Sequence, residues 1–561
     1  MIFADQAEEE IAKALDPDFF ARVSHRITAE LDYQLARAVF NDYVSKASEL
    51  PPEEAFTMLN RARLWLETYL SNLASGYSPL RWLWMMRRIP HHVFSSPLPT
   101  TFGYDQALAE TLTARSQKSD SRLEIRKDGI CSYTIFGATI RRLAEFSAAA
   151  RYLSGLHAGL RWAGKGSKFA LKRDAKPVLI SEPALEDAVR LYDQRGSSGT
   201  PFQRSGTILG TPADLHQGPS VLYLHRKEPE LLPLPADYIP DINSGTSRDD
   251  KILVLCRFVP RSISLEPFTR LLKMTDQLTI WPREAMILIL LLWGAWRMIF
   301  RHRAGFLSVL TRGYLLLDEE LIEYLYHPIL AEYDSHFGEL FHGSKPPASA
   351  ENFLTELGKI SGRTWPLRPA PVVRREKQVT CVDLLAAGEC LNAVLEAPIS
   401  DGVIPNVRGQ HFELLTQELI DRSSWKPGSE IGDLRGRTLR IGGAPVTDID
   451  AIGERNDELL AVSCKSVIYS GEYDSGDFRT VRNAASAIIN AVKEWQAKMS
   501  LLHSVKRGDN FDLSKFSTII PVVCTPANIY VPIGLATAEV RPALRAASSV
   551  AELAAWLGVE Q

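Results

Sequence analysis

The sequence predicts a multidomain α+β protein: a mainly helical N-terminal region, a mixed α/β middle part, and a C-terminal α/β domain on a central mixed sheet. Three observations carry that expectation. The chain has 561 residues, more than one hydrophobic core ordinarily serves. Through residues 1–90, apolar positions recur three and four apart, the signature of helices that bury one face. After about residue 400 the order becomes helix, three short apolar runs, long helix and a further apolar run, which suits a compact α/β unit.

Composition narrows the classes. Apolar residues make up 45% and charged residues 23%, the proportions of a folded globular chain rather than a disordered one. A formal charge of −3 gives the whole chain no electrostatic footprint for nucleic acid, so any such surface must be local. The six cysteines are scattered, with no CxxC pair. With no signal peptide at the start, they point to a reducing cytoplasm and no structural zinc. Ala285–Trp296 is uninterrupted apolar sequence, yet Arg297, Arg301 and Arg303 follow at once. A span needs about 20 apolar residues, so this run reads as a core helix and no membrane is expected.

In order along the chain, residues 1–95 form a helical region, with helices over Glu8–Leu15, Phe20–Leu35 and Glu53–Leu73. Residues 96–260 form a mixed region. There Leu123–Gly137 gives two short strands around Asp128-Gly129, and helices cover Ile140–Trp162 and Pro183–Gln194. Gly-, Ser- and Pro-rich loops occupy 196–220 and 226–247. Residues 261–375 form a helical, tryptophan-rich region, with Pro-rich breaks at 343–350 and 365–373 around a short helix, Phe353–Ile360. In the domain at 400–540 a helix at Gly409–Arg422 precedes strands at 438–442, 445–452 and 459–467, a helix at about 478–502 and a strand at 517–526. A C-terminal helix fills 541–561.

The segment 446–466, VTDIDAIGERNDELLAVSCKS, places polar groups where a buried hairpin has no use for them. The turn is Gly453–Glu458, centred on Asn456-Asp457. That register sets Asp450 opposite Ser463 and Asp448 opposite Lys465. Residues two apart share a face, so Asp448, Asp450, Ser463 and Lys465 share one, while Ile449, Val462 and Cys464 take the other. A one-residue slip would reverse the faces. Adjacent carboxylates repel, and a shared hard cation is a common remedy.

A helix with a glutamate, a strand with Asp, a turn, a strand ending in x-Lys and then a helix resembles the PD-(D/E)xK nuclease superfamily, the restriction-endonuclease-like fold. The resemblance covers residues 400–530. It implies that Asp450 binds metal, that Lys465 is the catalytic lysine activating water, and that Glu413 in GQHFELL is the helix glutamate. Asp448 is an extra acid, and Ser463 stands where the family has Asp or Glu. Members with Ser-x-Lys bring the acid from the following helix, where Glu472, Asp474 and Asp477 lie. Asp477 is the candidate, with Asp450 and Asp448, for holding Mg²⁺ or Mn²⁺. The implied activity is endonucleolytic hydrolysis of nucleic acid, DNA ahead of RNA, with antiviral defence or DNA processing as analogous roles. An inactive nuclease-like fold serving as a binding or assembly module is the alternative. Singly, each residue has a plainer reading: edge-strand acids, an edge lysine, and a helix cap at Asp477.

Two further signals stand in the sequence. GLRWAGKGS (159–167) approaches a phosphate-binding loop, but Gly166 replaces the hydroxyl residue that would hold magnesium. The same stretch carries Arg161, Lys165, Lys168, Lys172 and Arg173 interleaved with Trp162 and Phe169, a candidate nucleic-acid contact set against a solvated charged loop. The N-terminal region is expected to bind a protein partner or a second copy. The histidines form no zinc pattern.

Overall fold

A computed structural model describes residues 2–3, 6–94, 104–114, 116, 122–125, 130–196, 220–235, 251–265, 283–301, 303–338, 340–341, 344–360, 371–396, 404–467, 473 and 476–559. The arrangement is mixed α/β, with helices in the majority and several small sheets.

The N-terminal core is built from α1 (Gln6–Ala14), α2 (Pro17–Leu35), α3 (Pro52–Ala74), α4 (Pro79–Met86), α5 (Tyr104–Thr113) and α6 (Gly137–Gly164). Local chemistry sets the starts: the Asp16 carboxylate accepts the Phe19 N–H at 2.8 Å, and Pro17 occupies the first turn of α2. Phe20, Val23, Ile27, Leu31 and Leu35 then form its buried stripe. The strands Leu123–Ile125 and Ile130–Tyr133 pair antiparallel, as the sequence predicts; the Asp128-Gly129 turn lies outside the described residues. Helix α7 (Pro183–Gly196) leaves this core. Its Ala188 and Val189 join the C-terminal core, and Arg195 pairs with Glu552 at 2.6 Å.

The middle core begins with a long antiparallel ribbon, β1 (Ser220–Pro235) and β2 (Lys251–Ser264). Around it pack α8 (Arg283–Arg301), α9 (Arg303–Arg312), α10 (Glu319–His336), α11 (Ala350–Lys359) and α12 (Leu384–Glu396). A three-stranded sheet of β3 (Tyr314–Leu317), β4 (Val373–Glu376) and β5 (Val379–Asp383), ordered β4-β5-β3, completes it. The apolar run Ala285–Ala295 is buried throughout, and no described helix is long and apolar enough to cross a membrane. Two expectations are corrected here. The expected loop at 226–247 contains the outer half of β1, and the helical region contains β3. Prolines at 229, 233 and 235 argue against a strand, but a two-stranded ribbon has edges on which a missing N–H costs no ladder bond.

The C-terminal domain runs from α13 (Ile404–Asp421) through β6 (Leu439–Ile441), β7 (Ala444–Thr447), β8 (Ala451–Arg455), β9 (Glu458–Cys464), α14 (Phe478–Val505), β10 (Thr518–Thr525) and β11 (Ala547–Ser549) to α15 (Val550–Leu557). The main sheet is ordered β8-β9-β10-β11; β8 and β9 are antiparallel, and β9-β10 and β10-β11 are parallel. Strand β9 is buried on both faces, as a central strand should be. Leu460, Val462 and Cys464 meet α13 and α15, while Leu459 and Ala461 meet α14. Each fully buried aliphatic side chain contributes about 1.5–3 kcal/mol, so this two-sided burial holds the register firmly. The expected boundary at 540 is corrected. Because β11 is a member of the sheet and α15 packs on it, the domain continues through residue 559, and 541–561 is not a helix alone.

The domains expected at 96–260 and 261–375 are likewise redistributed. Helix α6 belongs to the N-terminal core, α7 to the C-terminal domain, and the ribbon to the middle core.

Candidate functional site

The hairpin turns where the sequence places it. Arg455 pairs with Glu458, leaving Asn456 and Asp457 as the loop, and Asn456 takes a φ of 56°, which asparagine tolerates. Counting back along the ladder brings Asp450 to Ser463, and the Ser463 hydroxyl donates to Asp450 Oδ2 at 3.3 Å. The same oxygen accepts the Cys464 N–H at 2.6 Å. Beyond the last β8 pair, a carboxylate thus satisfies a backbone donor of β9. Ile449 is fully buried, but where the register predicts it beside Val462 and Cys464 it packs instead with Leu459 and Ala461 beneath α14, because the chain leaves the ladder at 448–450.

One detail is corrected. The strand expected at 445–452 is interrupted at 448–450, so Asp448 makes no ladder pair with Lys465. The break arises because the two halves serve different sheets: β7 pairs with β6 and β8 with β9. The Ile449 carbonyl accepts from Gly436 N at 2.9 Å instead. Asp448 and Lys465 are exposed, and Asp450 is half-buried. Lys465 N still donates to the Cys524 carbonyl at 2.8 Å, prolonging the parallel pairing with β10. The cluster therefore lies at the carboxyl end of a parallel strand, where open α/β sheets commonly bind ligands.

Glu413 reaches the cluster through α13. Gln417, one turn further along the same helical face, clamps the backbone of Ile452: Nε2 donates to its carbonyl at 3.0 Å and Oε1 accepts its N–H at 2.8 Å. Gly409, one turn before Glu413, faces Ser466. The helix is thus laid across the ends of β8 and β9 with Glu413 between these two anchors. Sequence reasoning missed Gln417, because a glutamine on a helix carries no sign of a backbone partner.

Electrostatics tie the group together. Burial pushes the Asp450 carboxyl above its ordinary range; the Cys464 N–H and Lys465 pull it down, and Asp448 pushes it up again. The Glu413 carboxyl is raised as well, first by burial and then by Asp450, with Asp448 adding to the rise and Arg435 and Lys465 opposing it. Glu413, Asp448, Asp450 and Lys465 are therefore within one another's field, together with Arg435, a residue the sequence did not single out.

As donors, Asp448, Asp450 and Glu413 offer the oxygen ligands that Mg²⁺ and Mn²⁺ take. A cation would relieve the burial and mutual repulsion that raise two of these carboxyls. Asp450 Oδ1 accepts no hydrogen bond from a described residue, which leaves it available. Among the described residues, no three His, Cys, Asp or Glu side chains stand close enough to hold an ion in the present arrangement.

Asp477 is engaged at the start of α14. It caps α14, its carboxylate accepting the Thr480 N–H at 2.8 Å, and it is not among the charges acting most strongly on Glu413 or Asp450. Glu472 and Asp474 lie outside the described residues.

The basic stretch is corrected in part. Arg161 is ion-paired to Asp193. The Lys165 ammonium is buried 3.9 Å from Asp193 and 4.4 Å from the centre of the Tyr192 ring. Both are occupied where α6 meets α7 and the C-terminal domain, and Phe169 is buried, so that ring has no face for a base. Lys168, Lys172 and Arg173 remain exposed. Gly164 is a contact point: a Cβ there would come 1.9 Å from the Gly476 carbonyl oxygen, just before the α14 cap.

No protein-family model matches the chain, and neither a curated protein nor a solved structure matches it.

Proposed function

We propose that the C-terminal domain is a PD-(D/E)xK-type, metal-dependent nuclease that hydrolyses phosphodiester bonds of nucleic acid, DNA ahead of RNA. The observation that carries this reading is that Asp450, Asp448, Glu413 and Lys465 lie within one another's electrostatic reach at the carboxyl end of β9, with Asp450 fixed by Ser463 and Cys464. Asp450 and Asp448, with Glu413, are the residues that would hold Mg²⁺ or Mn²⁺. A bound cation supplies neutralisation of charge at the scissile phosphate. The chain's own contributions are distinct. Lys465, an exposed ammonium on a rigid strand end, orients the attacking water. Cys464 N and Ser463 Oγ hold the Asp450 carboxylate in one orientation, so little reorganisation is needed when substrate arrives.

Ser463 favours a second reading, a nuclease-like domain that binds without cleaving, because serine brings no negative charge where the family has an acid. One experiment separates the two. The full-length chain and Lys465→Ala are incubated with supercoiled, linear and single-stranded DNA and with RNA, in Mg²⁺ and then Mn²⁺. Cleavage by the wild type that Lys465→Ala loses, with an unchanged melting curve, supports hydrolysis. Equal inertness of both proteins on every substrate supports the binding module.

A further inference from the structure

We infer that Arg435 is the group that grips a phosphate of the nucleic acid at this site; the assignment rests on the nucleic-acid reading above and adds the substrate contact it lacks.

Arg435 is placed with unusual rigidity for a loop residue. Leu434 is buried in the core beneath α14, and Gly436 turns the chain with a φ of 68°. Gly436 N donates to the Ile449 carbonyl at 2.9 Å, and Arg435 forms an isolated parallel bridge with Ile449. The guanidinium Nε then donates to the backbone carbonyl of Asp450 at 3.0 Å. The loop is thereby pinned to the segment that carries Asp448 and Asp450.

Its charge is left uncommitted. Arg435 acts on Glu413 through space, yet it has no ion pair among the described residues. Whereas Arg440, away from the acid cluster, donates to the Gly443 carbonyl, some arginines of the domain close onto an acid: Arg541 onto Glu458, Arg545 onto Glu539, and α7 supplies Arg195 to Glu552. An arginine serving only to neutralise the acid cluster would be expected to do the same. Here one edge of the plane is spent on a carbonyl, and Nη1 and Nη2 donate to no described residue. A planar fork held at one edge and free at the other matches two oxygens of a phosphate. Lys465, a compact ammonium, suits a water instead. The division of labour is phosphate to Arg435, water to Lys465.

The test uses the full-length chain as wild type, Arg435→Gln, Arg435→Lys and Lys465→Ala. Binding of fluorescein-labelled single- and double-stranded DNA and RNA oligonucleotides is read by anisotropy in Ca²⁺, cleavage of the same oligonucleotides in Mn²⁺, and the Mn²⁺-induced melting shift in parallel. Arg435→Gln is expected to weaken oligonucleotide binding about tenfold and slow cleavage about 10²-fold, the loss typical of one aimed donor. Its Mn²⁺ shift should be as large as the wild type's or larger, because a positive charge has left the acids. Arg435→Lys should stay impaired, since it keeps the charge and loses the fork. Wild-type oligonucleotide affinity in Arg435→Gln, with only the melting behaviour changed, would make Arg435 an internal counter-ion and overturn the inference. Wild-type cleavage by Arg435→Gln beside an inert Lys465→Ala would overturn it too and leave the nuclease reading standing. Arg435-dependent binding by a wild type that cleaves nothing upholds the inference and removes hydrolysis. A wild type that neither binds nor cleaves removes both.

Discussion

Gln417 and Ile452 exchange two hydrogen bonds, side-chain amide to backbone amide, at 3.0 and 2.8 Å. Both residues are buried, so neither backbone group of Ile452 has water to fall back on. Gln417→Leu should therefore destabilise the chain by about 1–3 kcal/mol, the cost of stranding buried polar groups. It should also slow cleavage by letting α13 shift Glu413. Gln417→Glu keeps the acceptor for Ile452 N and loses the donor, so it should fall between. Urea unfolding midpoints and cleavage rates, measured on the same preparations, check both effects; a Gln417→Leu protein as stable as the wild type would remove the clamp.

The raised carboxyls give the metal response a pH signature. Without metal, Asp450 and Glu413 have folded-state pKa values above their unfolded ones, chiefly through burial. Such groups favour the native state in acid, and that contribution is lost as pH rises through the folded pKa. Asp450→Asn, which retains an acceptor for Cys464 N, should thus be more stable than the metal-free wild type at neutral pH. Cation binding needs the ionised form, so the Mn²⁺-induced melting shift should fade on acidification at a pH above the ordinary carboxylate range of about 4. Asp450→Asn should show little shift at any pH. Melting curves with and without Mn²⁺ from pH 4 to 8 test all three statements.

Asp477 separates a cap from a ligand. Its carboxylate is engaged with Thr480 N at the start of a 28-residue helix. Asp477→Ala should cost about 1 kcal/mol of stability and leave both the Mn²⁺ shift and the cleavage rate at wild-type values. Loss of turnover on the scale of Asp450→Asn would return Asp477 to the metal site.

The hairpin was legible because its information is local. A period-two pattern, a two-residue polar turn and one register bring Asp450 to Ser463, and nothing distant is needed. The break at Asp448–Asp450 was not legible, since it follows from β6 lying beside β7. Gln417 and Arg435 escaped because each acts through a backbone carbonyl, which no side-chain pattern announces. The ribbon was hidden by its prolines, which local preference reads as loop. The bounds of the middle region are hidden for a different reason. Helix α6 is buried all round through Phe146–Ala150 and α7 is amphipathic, but neither pattern names a partner, and only the packed molecule reveals which core each one serves.

Arg87 shows how firmly the N-terminal and middle cores are joined. It is buried between Glu110, at 2.6 Å, and Asp383, at 3.2 Å, and it donates to the Arg312 carbonyl at 2.7 Å. Arg374 also pairs with Asp383, at 3.1 Å, and Arg226 with Glu110, at 2.5 Å. Burial pushes both carboxyls up, but the arginines overcome it and hold both below the usual range. Groups of this kind stabilise the fold above their unfolded pKa, and the contribution is lost as pH falls through the folded pKa. Asp383→Ala should cost about 3–5 kcal/mol at neutral pH, because the buried Arg374 loses its acid and the buried Arg87 keeps only Glu110. Lowering the pH should destabilise the wild type more steeply than the variant, so that the gap between them narrows in acid. Replacing one ion pair of the set by apolar groups is the control. Combining Arg374→Met with Asp383→Leu should recover stability relative to Asp383→Ala, since it removes the stranded charge as well as its partner and leaves Arg87 on Glu110. Urea unfolding from pH 7 down to about pH 2, well below the ordinary Asp value of about 3.9, distinguishes these outcomes, and a pH-independent gap would mean that packing around Asp383, rather than its charge, joins the two cores.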